Sequence, residues 1–279
     1  MLEFLPSLGS LITFGSNSAV TKKAINDIGR HKSIVYMYIV LVALLVLGAI
    51  VLHIEIQFPY ELVPEYILEI TMGALGVIAA FKAINYGKVS ITSPIAKIYA
   101  LFVLVLGIVI LGEELSIGQI IGAATIVISA IIIALDKTNG LKLEKWMIYL
   151  GISILCRAYY YTFIKTFVVS MGAYQATLFL EFGVALLVIG FHILRGRDIS
   201  TPTLKEMKFP ALSGGLSFFG TLFYSLSVGW IGAALTAVIS AGSPTVNAIM
   251  ARILLGEKLD MYWVVAQLRP SSDVMFYST

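Results

Sequence analysis

Cysteine is almost absent from this 279-residue chain, charge is scarce, and histidine occurs only three times. Each shortage closes a class of function. The single thiol, Cys156, lies in an apolar stretch, so no disulfide framework or thiolate metal cluster can form and the residue reads as core. His31, His53 and His192 sit at loop edges, and no His-Glu-x-x-His or paired-Asp motif is present, so no metal site is expected. Asp27, Asp136, Asp198, Asp260 and Asp273 all fall outside the candidate spans, which leaves an intramembrane enzyme without a catalytic set. A phosphate-binding Gly-x-x-x-x-Gly-Lys-Ser/Thr loop is missing, so the chain carries no ATP-driven motor, and no cofactor is expected. The net charge is only +3, with no basic and aromatic array, which sets nucleic acid aside as a partner.

What the chain has in abundance is apolar length. Hydrophobic residues make up 59% and charged residues 13%, and the mean hydropathy is +0.94, more apolar surface than a soluble fold of this size can hide. A bilayer core needs about 20 apolar residues per helix. Nine spans follow, at 4–22, 33–52, 67–86, 89–112, 117–135, 147–169, 173–194, 209–229 and 233–255. The longest polar breaks, 53–66, 136–146 and 195–208, are too short for a soluble domain. No early Lys or Arg precedes the first apolar run, so it reads as a retained span and not as a cleaved signal.

An internal repeat organises these spans. Leu111-Gly112-Glu113-Glu114-Leu115 recurs as Leu255-Gly256-Glu257-Lys258-Leu259, and each copy closes a long apolar run. Nearly the same shift lays Gly15 through Lys22 on Ala158 through Lys165, and Ala83 through Gly87 close to Ser225 through Gly229. Five spans fit one period. An odd number forces the two copies into opposite orientations, the inverted-repeat plan of many secondary transporters. The fold expected is therefore an all-α membrane protein of two inverted five-helix repeats, a ten-span plan with nine clear spans. Residues 1–136 form the first repeat, 137–146 the linking loop and 147–279 the second repeat.

Loop charges agree with the inversion. Lys22, Lys23, Arg30, Lys32, Lys88, Lys137, Lys142, Lys145, Arg195, Arg197, Lys205, Lys208 and Lys258 all fall on one side. The opposite loops hold Glu55, Glu61, Glu65, Glu113 and Glu114. Positive-inside reasoning puts the basic side in the cytoplasm and the N-terminus outside.

Phe14-Gly15-Ser16-Asn17 in the first span, Ser93-Pro94 and Ser243-Pro244 in the fourth span of each half, and the repeated Leu-Gly-Glu ending resemble the drug/metabolite transporter superfamily, and within it the EamA-type ten-helix exporters. The resemblance implies ten helices, a cavity between the halves, transport without ATP hydrolysis, and both termini in the cytoplasm, opposite to the charge reading. The tenth span falls at 261–279, where Arg269, Pro270 and Asp273 replace apolar residues; a stretch with such central charges is not expected to cross, which reads as a truncation or frame change near Gln267.

Charges at membrane depth are costly and mark candidate sites. Lys82, Lys97, Arg157, Lys165, Glu181 and Arg252 qualify; Lys82, Lys165 and Arg252 are near enough to span ends to snorkel. Glu181 is either a coupling site that binds and releases a proton or the partner of Arg157 or Lys97 in a structural ion pair. Pro94 and Pro244 mark helix breaks that either expose backbone polar groups or merely kink. Asn17, Asn85, Tyr99, Tyr160, Tyr161, Tyr224 and Asn247 complete the candidate substrate site with Lys82, Lys97 and Arg157. Arg157 and Tyr161 share one helical face. Gly118 and Gly122, with Gly214, Gly215 and Gly220, read as close-packing positions. The expected partners are a small-molecule substrate and membrane lipid, with a homodimer left open, and the expected place is the plasma or inner membrane. A secondary transporter that exports a metabolite, amino acid or drug-like solute fits best; a lipid-carrier flippase of the same superfamily is the alternative.

Overall fold

The computed structural model describes residues 2–122 and 144–256, and the expected tenth span lies outside them. The chain runs α1 (Leu5–Ile28), α2 (Arg30–Val51), α3 (Val63–Tyr86), α4 (Val89–Ala96), α5 (Tyr99–Val109), α6 (Lys145–Met171), α7 (Ala173–Leu194), α8 (Lys208–Ile231), α9 (Ala233–Ser240) and α10 (Pro244–Leu255). A further helix is described only over 117–122. No strand occurs among the described residues.

Seven segments are long and apolar enough to cross a membrane. The helix α1 is not among them. It carries Ser7, Ser10, Asn17, Thr21, Lys22 and Lys23, and it tolerates them because it is packed against α8, α9 and α10. Its polar groups face protein: Ser10 Oγ lies 2.6 Å from Ser240 Oγ, Asn17 Nδ2 donates to Ser217 Oγ at 2.8 Å, and Ser213 Oγ donates to Asn17 Oδ1 at 2.7 Å. A span enclosed by other helices satisfies its polar groups across the interface and need not be apolar. Large side chains such as Leu47, Leu75, Leu155, Leu186 and Ile253 are exposed instead, and their solvent is lipid.

The loop expected between the first two spans shrinks to one residue. Gly29 joins α1 to α2 at φ 81°, ψ 159°, and Gly172 joins α6 to α7 at φ 81°, ψ 158°. Only glycine adopts such torsions without a Cβ clash. The two joints are 143 residues apart, so the repeat is visible in backbone torsions as well as in sequence.

The fourth span of each half, expected as one span interrupted at a proline, is two helices. Val89 and Ala233 open α4 and α9 and are 144 residues apart, as are Ala96 and Ser240, which close them. Pro94 lies in the last turn of α4, whereas Pro244 is the first residue of α10, so the breaks are in register although the prolines are not. The Leu-Gly-Glu glycines also repeat a backbone state, with Gly112 at φ 63° and Gly256 at φ 67°. Left-handed torsions of this kind end helices, which explains why each copy closes a span. Of the glycines expected to seat a neighbouring helix, Gly118, Gly122 and Gly215 meet none among the described residues, whereas a Cβ on Gly214 would come within 2.7 Å of the Met37 carbonyl on α2 and one on Gly220 within 2.6 Å of the Phe14 ring on α1.

Candidate functional site

A cavity of about 130 Å³ lies between the halves, in the part of the bundle that faces the basic loops. Position along each helix shows this. The lining residues Asn17, Ser18 and Thr21 approach the C-terminal end of α1, Ala80 and Ile84 that of α3, and Leu150 and Ser153 the N-terminal end of α6. These ends carry Lys22, Lys88 and Lys145.

The break in the fourth span delivers Lys97 to the cavity. Proline at 94 cannot donate the backbone hydrogen bond that a continuing helix requires, and the chain passes through tighter i to i+3 bonds, Lys97 N to Pro94 O and Ile98 N to Ile95 O. Lys97 follows α4 directly, and its ammonium lies 5.5 Å from the Tyr99 ring centre and 5.8 Å from that of Phe14. Aromatic faces are a favourable, low-dielectric seat for a cation. The matching break in the second half is buried away from the cavity, and Ser240 there bonds to Ser10.

Of the expected site residues, Asn17, Lys97, Tyr99, Arg157, Tyr160, Tyr161 and Glu181 line the cavity. Arg157 and Tyr161 do so from one face of α6, as their spacing predicts. The structure does not bring Lys82, Asn85, Tyr224 or Asn247 to it. Lys82 stacks on Tyr149, 4.7 Å from the ring centre, and the backbone carbonyl of Asn85 accepts from Lys22 Nζ at 3.2 Å. Tyr224 is wholly enclosed beside Tyr161, ring centres 4.6 Å apart, and Asn247 is buried in α10 with no hydrogen-bond partner for its amide among the described residues. Sequence reading missed the hydroxyl lining of Tyr38, Thr92, Ser153 and Thr221, because lone hydroxyls scattered over four helices carry no local pattern.

The ion pair considered for Glu181 is not formed. The Tyr160 hydroxyl donates to Glu181 Oε1 at 3.3 Å, and no Lys or Arg lies within 4.0 Å of its carboxylate among the described residues. Arg157 likewise has no hydrogen bond or ion pair to any described residue. Two cations and one acid therefore line one small cavity without forming an ion pair with one another.

Rings form the floor. Phe14, Tyr99, Tyr160 and Tyr161 meet there, with Tyr99 and Tyr161 stacked at 5.0 Å and Tyr160 and Tyr161 edge-on at 5.5 Å. A second aromatic group, Phe58, Tyr66, Phe167 and Phe179, closes the helices towards the acidic loops.

One charged residue read as loop turns out to be structural. Glu113 Oε1 accepts the Ala233 amide and Oε2 the Ala234 amide, both at 2.8 Å, so the carboxylate caps the N-terminus of α9. Lys165, expected to snorkel, donates to Oε1 at 2.6 Å. The cap joins the end of the fourth span in the first half to the start of the fourth span in the second, where the helix dipole favours an anion.

A family model described as the EamA-like transporter family matches residues 3–135 and 144–268, the two repeats in turn. A solved structure described as "Crystal structure of protein" is similar over 98% of this chain and 96% of its own, with a TM-score of 0.71 and 15% identity, a likeness of fold. No curated protein sequence matches.

Proposed function

Because the chain belongs to the EamA-like transporter family and is a multi-pass membrane transporter of the drug/metabolite transporter superfamily, we propose that it exports a small anionic or zwitterionic metabolite of about amino-acid size by alternating access, from the plasma or inner membrane. The observation that carries this reading is Arg157, a guanidinium on the cavity wall with no ion-pair partner among the described residues. A half-buried cation without a partner is costly, and a solute carboxylate that binds it in two-pronged fashion removes that cost. Lys97 adds a second positive charge, and Glu181 offers an acceptor to an ammonium group.

Size narrows the class. A cavity of about 130 Å³ is close to the ~150 Å³ that holds benzene and below the roughly 300–1,000 Å³ usual for drug-sized ligands. That disfavours a lipid carrier in this conformation. The cavity faces the basic loops, which positive-inside reasoning puts in the cytoplasm, so an outgoing solute has access to it. Closure there and opening of the aromatic layers on the acidic side would complete the cycle.

The test is exchange of radiolabelled solutes by purified protein in liposomes, with amino acids, the corresponding amines lacking the carboxyl, and apolar cations as competitors. Carboxylated solutes should exchange and the matched amines should not compete. Efficient exchange of the amines with the acids inert would sink the proposal.

A further inference from the structure

Beyond the cavity floor, Glu69 on α3 is fully enclosed, and neither of its carboxylate oxygens has a hydrogen-bond partner among the described residues. Helix α3 begins at Val63 on the acidic-loop side, so Glu69 lies about 9 Å along the helix from that end. It is one turn from Gly73, where a Cβ would meet Tyr160 Cε2 at 2.9 Å. The Tyr160 ring therefore packs on α3 one turn from Glu69, and its hydroxyl donates to Glu181 Oε1 at 3.3 Å. Tyr160 thus stands between two buried acids, one lining the cavity and one hidden behind it.

The groups that face this region are Tyr159, Tyr160 and, further along α6, Arg157; Glu181 on α7; Tyr38 on α2; and Glu65 and Tyr66 on α3 itself. No Lys or Arg forms an ion pair with Glu69 among the described residues. An ionised carboxylate with no donor in reach is strongly disfavoured in a low-dielectric interior. A metal cation finds no cluster of acidic or soft ligands there among the described residues. A proton needs only the carboxylate.

We propose that Glu69 is a proton-carrying residue of the transport cycle, linked through the Tyr160 hydroxyl to Glu181. The step is a proton transfer alone. Tyr160 gives its hydroxyl proton to Glu181, with which it is already hydrogen-bonded, and is reprotonated by Glu69, which returns to carboxylate. In this structure the chain of bonds is complete on the Glu181 side and broken on the Glu69 side, so closing that gap belongs to the conformational change. The inference rests on the transport reading above.

Liposomes holding the purified full chain test both separately, with a radiolabelled L-amino-acid mixture as probe. Exchange at equal pH reports transport, and accumulation under an imposed pH difference of either sign reports coupling. Wild type should exchange, and should accumulate label by about tenfold per pH unit if one proton moves per solute. Glu69→Gln should keep the exchange and lose the accumulation, whereas Glu69→Asp should recover part of it. Undiminished accumulation by Glu69→Gln, loss of its exchange as well, or a wild type that exchanges without responding to pH would each overturn the proton role. A wild type with no exchange would instead overturn the transport reading, and the inference with it.

Discussion

The ammonium of Lys165 lies 2.6 Å from Glu113 Oε1, the same oxygen that accepts the Ala233 amide. One carboxylate therefore serves a helix terminus and an ion pair together, with its side chain 7% exposed. Breaking a largely buried pair costs more than forming it gains, because the survivor is left charged and unpaired. Glu113→Ala should lower stability in detergent by about 2–4 kcal/mol. Lys165→Met should cost less, since Glu113 keeps both amides. Thermal unfolding of the two variants would check the order; equal costs would contradict it.

Arg157→Gln should raise the KM for carboxylated solutes while leaving the fold intact, because Arg157 has no described protein partner to lose. A charge-assisted bond of about 1.5–3 kcal/mol corresponds to roughly a 10- to 150-fold weaker affinity. Arg157→Lys should not restore it, since an ammonium lacks the planar two-pronged fork. Full rescue by lysine would point to charge alone.

Gly73 holds α3 against α6 and α7. A Cβ there would come within 2.7 Å of Val184 Cγ2 and 2.9 Å of Tyr160 Cε2. Both are side-chain atoms of buried residues, so Gly73→Ala should cost about 1–3 kcal/mol through overpacking and displace Tyr160 from Glu181. The checks are thermal stability and solute exchange; a fully active, equally stable variant would show that Tyr160 can move freely.

Asp198 lies outside the membrane spans and accepts from the Ser200 amide at 3.0 Å, with Lys32 Nζ 3.1 Å from its other oxygen. The Ser200 bond first, then the Lys32 contact, hold its carboxyl down at about 2. Since the folded value lies below the ordinary one near 3.9, this link between α2 and the 195–208 loop is intact at neutral pH and is lost as pH falls from about 4 towards 2. A carboxyl chemical-shift titration of the Asp198 signal checks it. Lys32→Met should raise the midpoint, and an unaltered value would assign the effect to the Ser200 bond alone.

Much of this architecture is legible along the chain because membrane spans are long apolar runs with a basic bias on one side. Where reading failed, the cause was physical. The α1–α2 loop looked long because Lys22, Lys23, Arg30 and Lys32 are charged, yet they sit on helix ends whose single break is Gly29. Glu113 looked like loop because its partners, Ala233 and Lys165, are far away in sequence. Glu69 did not stand out, because it is only two residues inside the apolar run expected at 67–86, whereas helix α3 starts four residues earlier, at Val63. The cavity lining was half visible. Lys97, Arg157 and Glu181 stand out as charges among apolar neighbours, whereas Thr92 and Ser153 do not differ from ordinary helix hydroxyls.

The one-residue joints at Gly29 and Gly172 leave no slack between the helices that they connect. Neither α2 nor α7 can slide along its predecessor, so each pair moves as a stiff V that can only swing at its apex. The inversion sets one apex at the basic face and the other at the acidic face. If both levers swing in the proposed cycle, the mouth of one V would widen on the side where the other is pinned, and a barrier opening at one surface would be coupled mechanically to one shutting at the other.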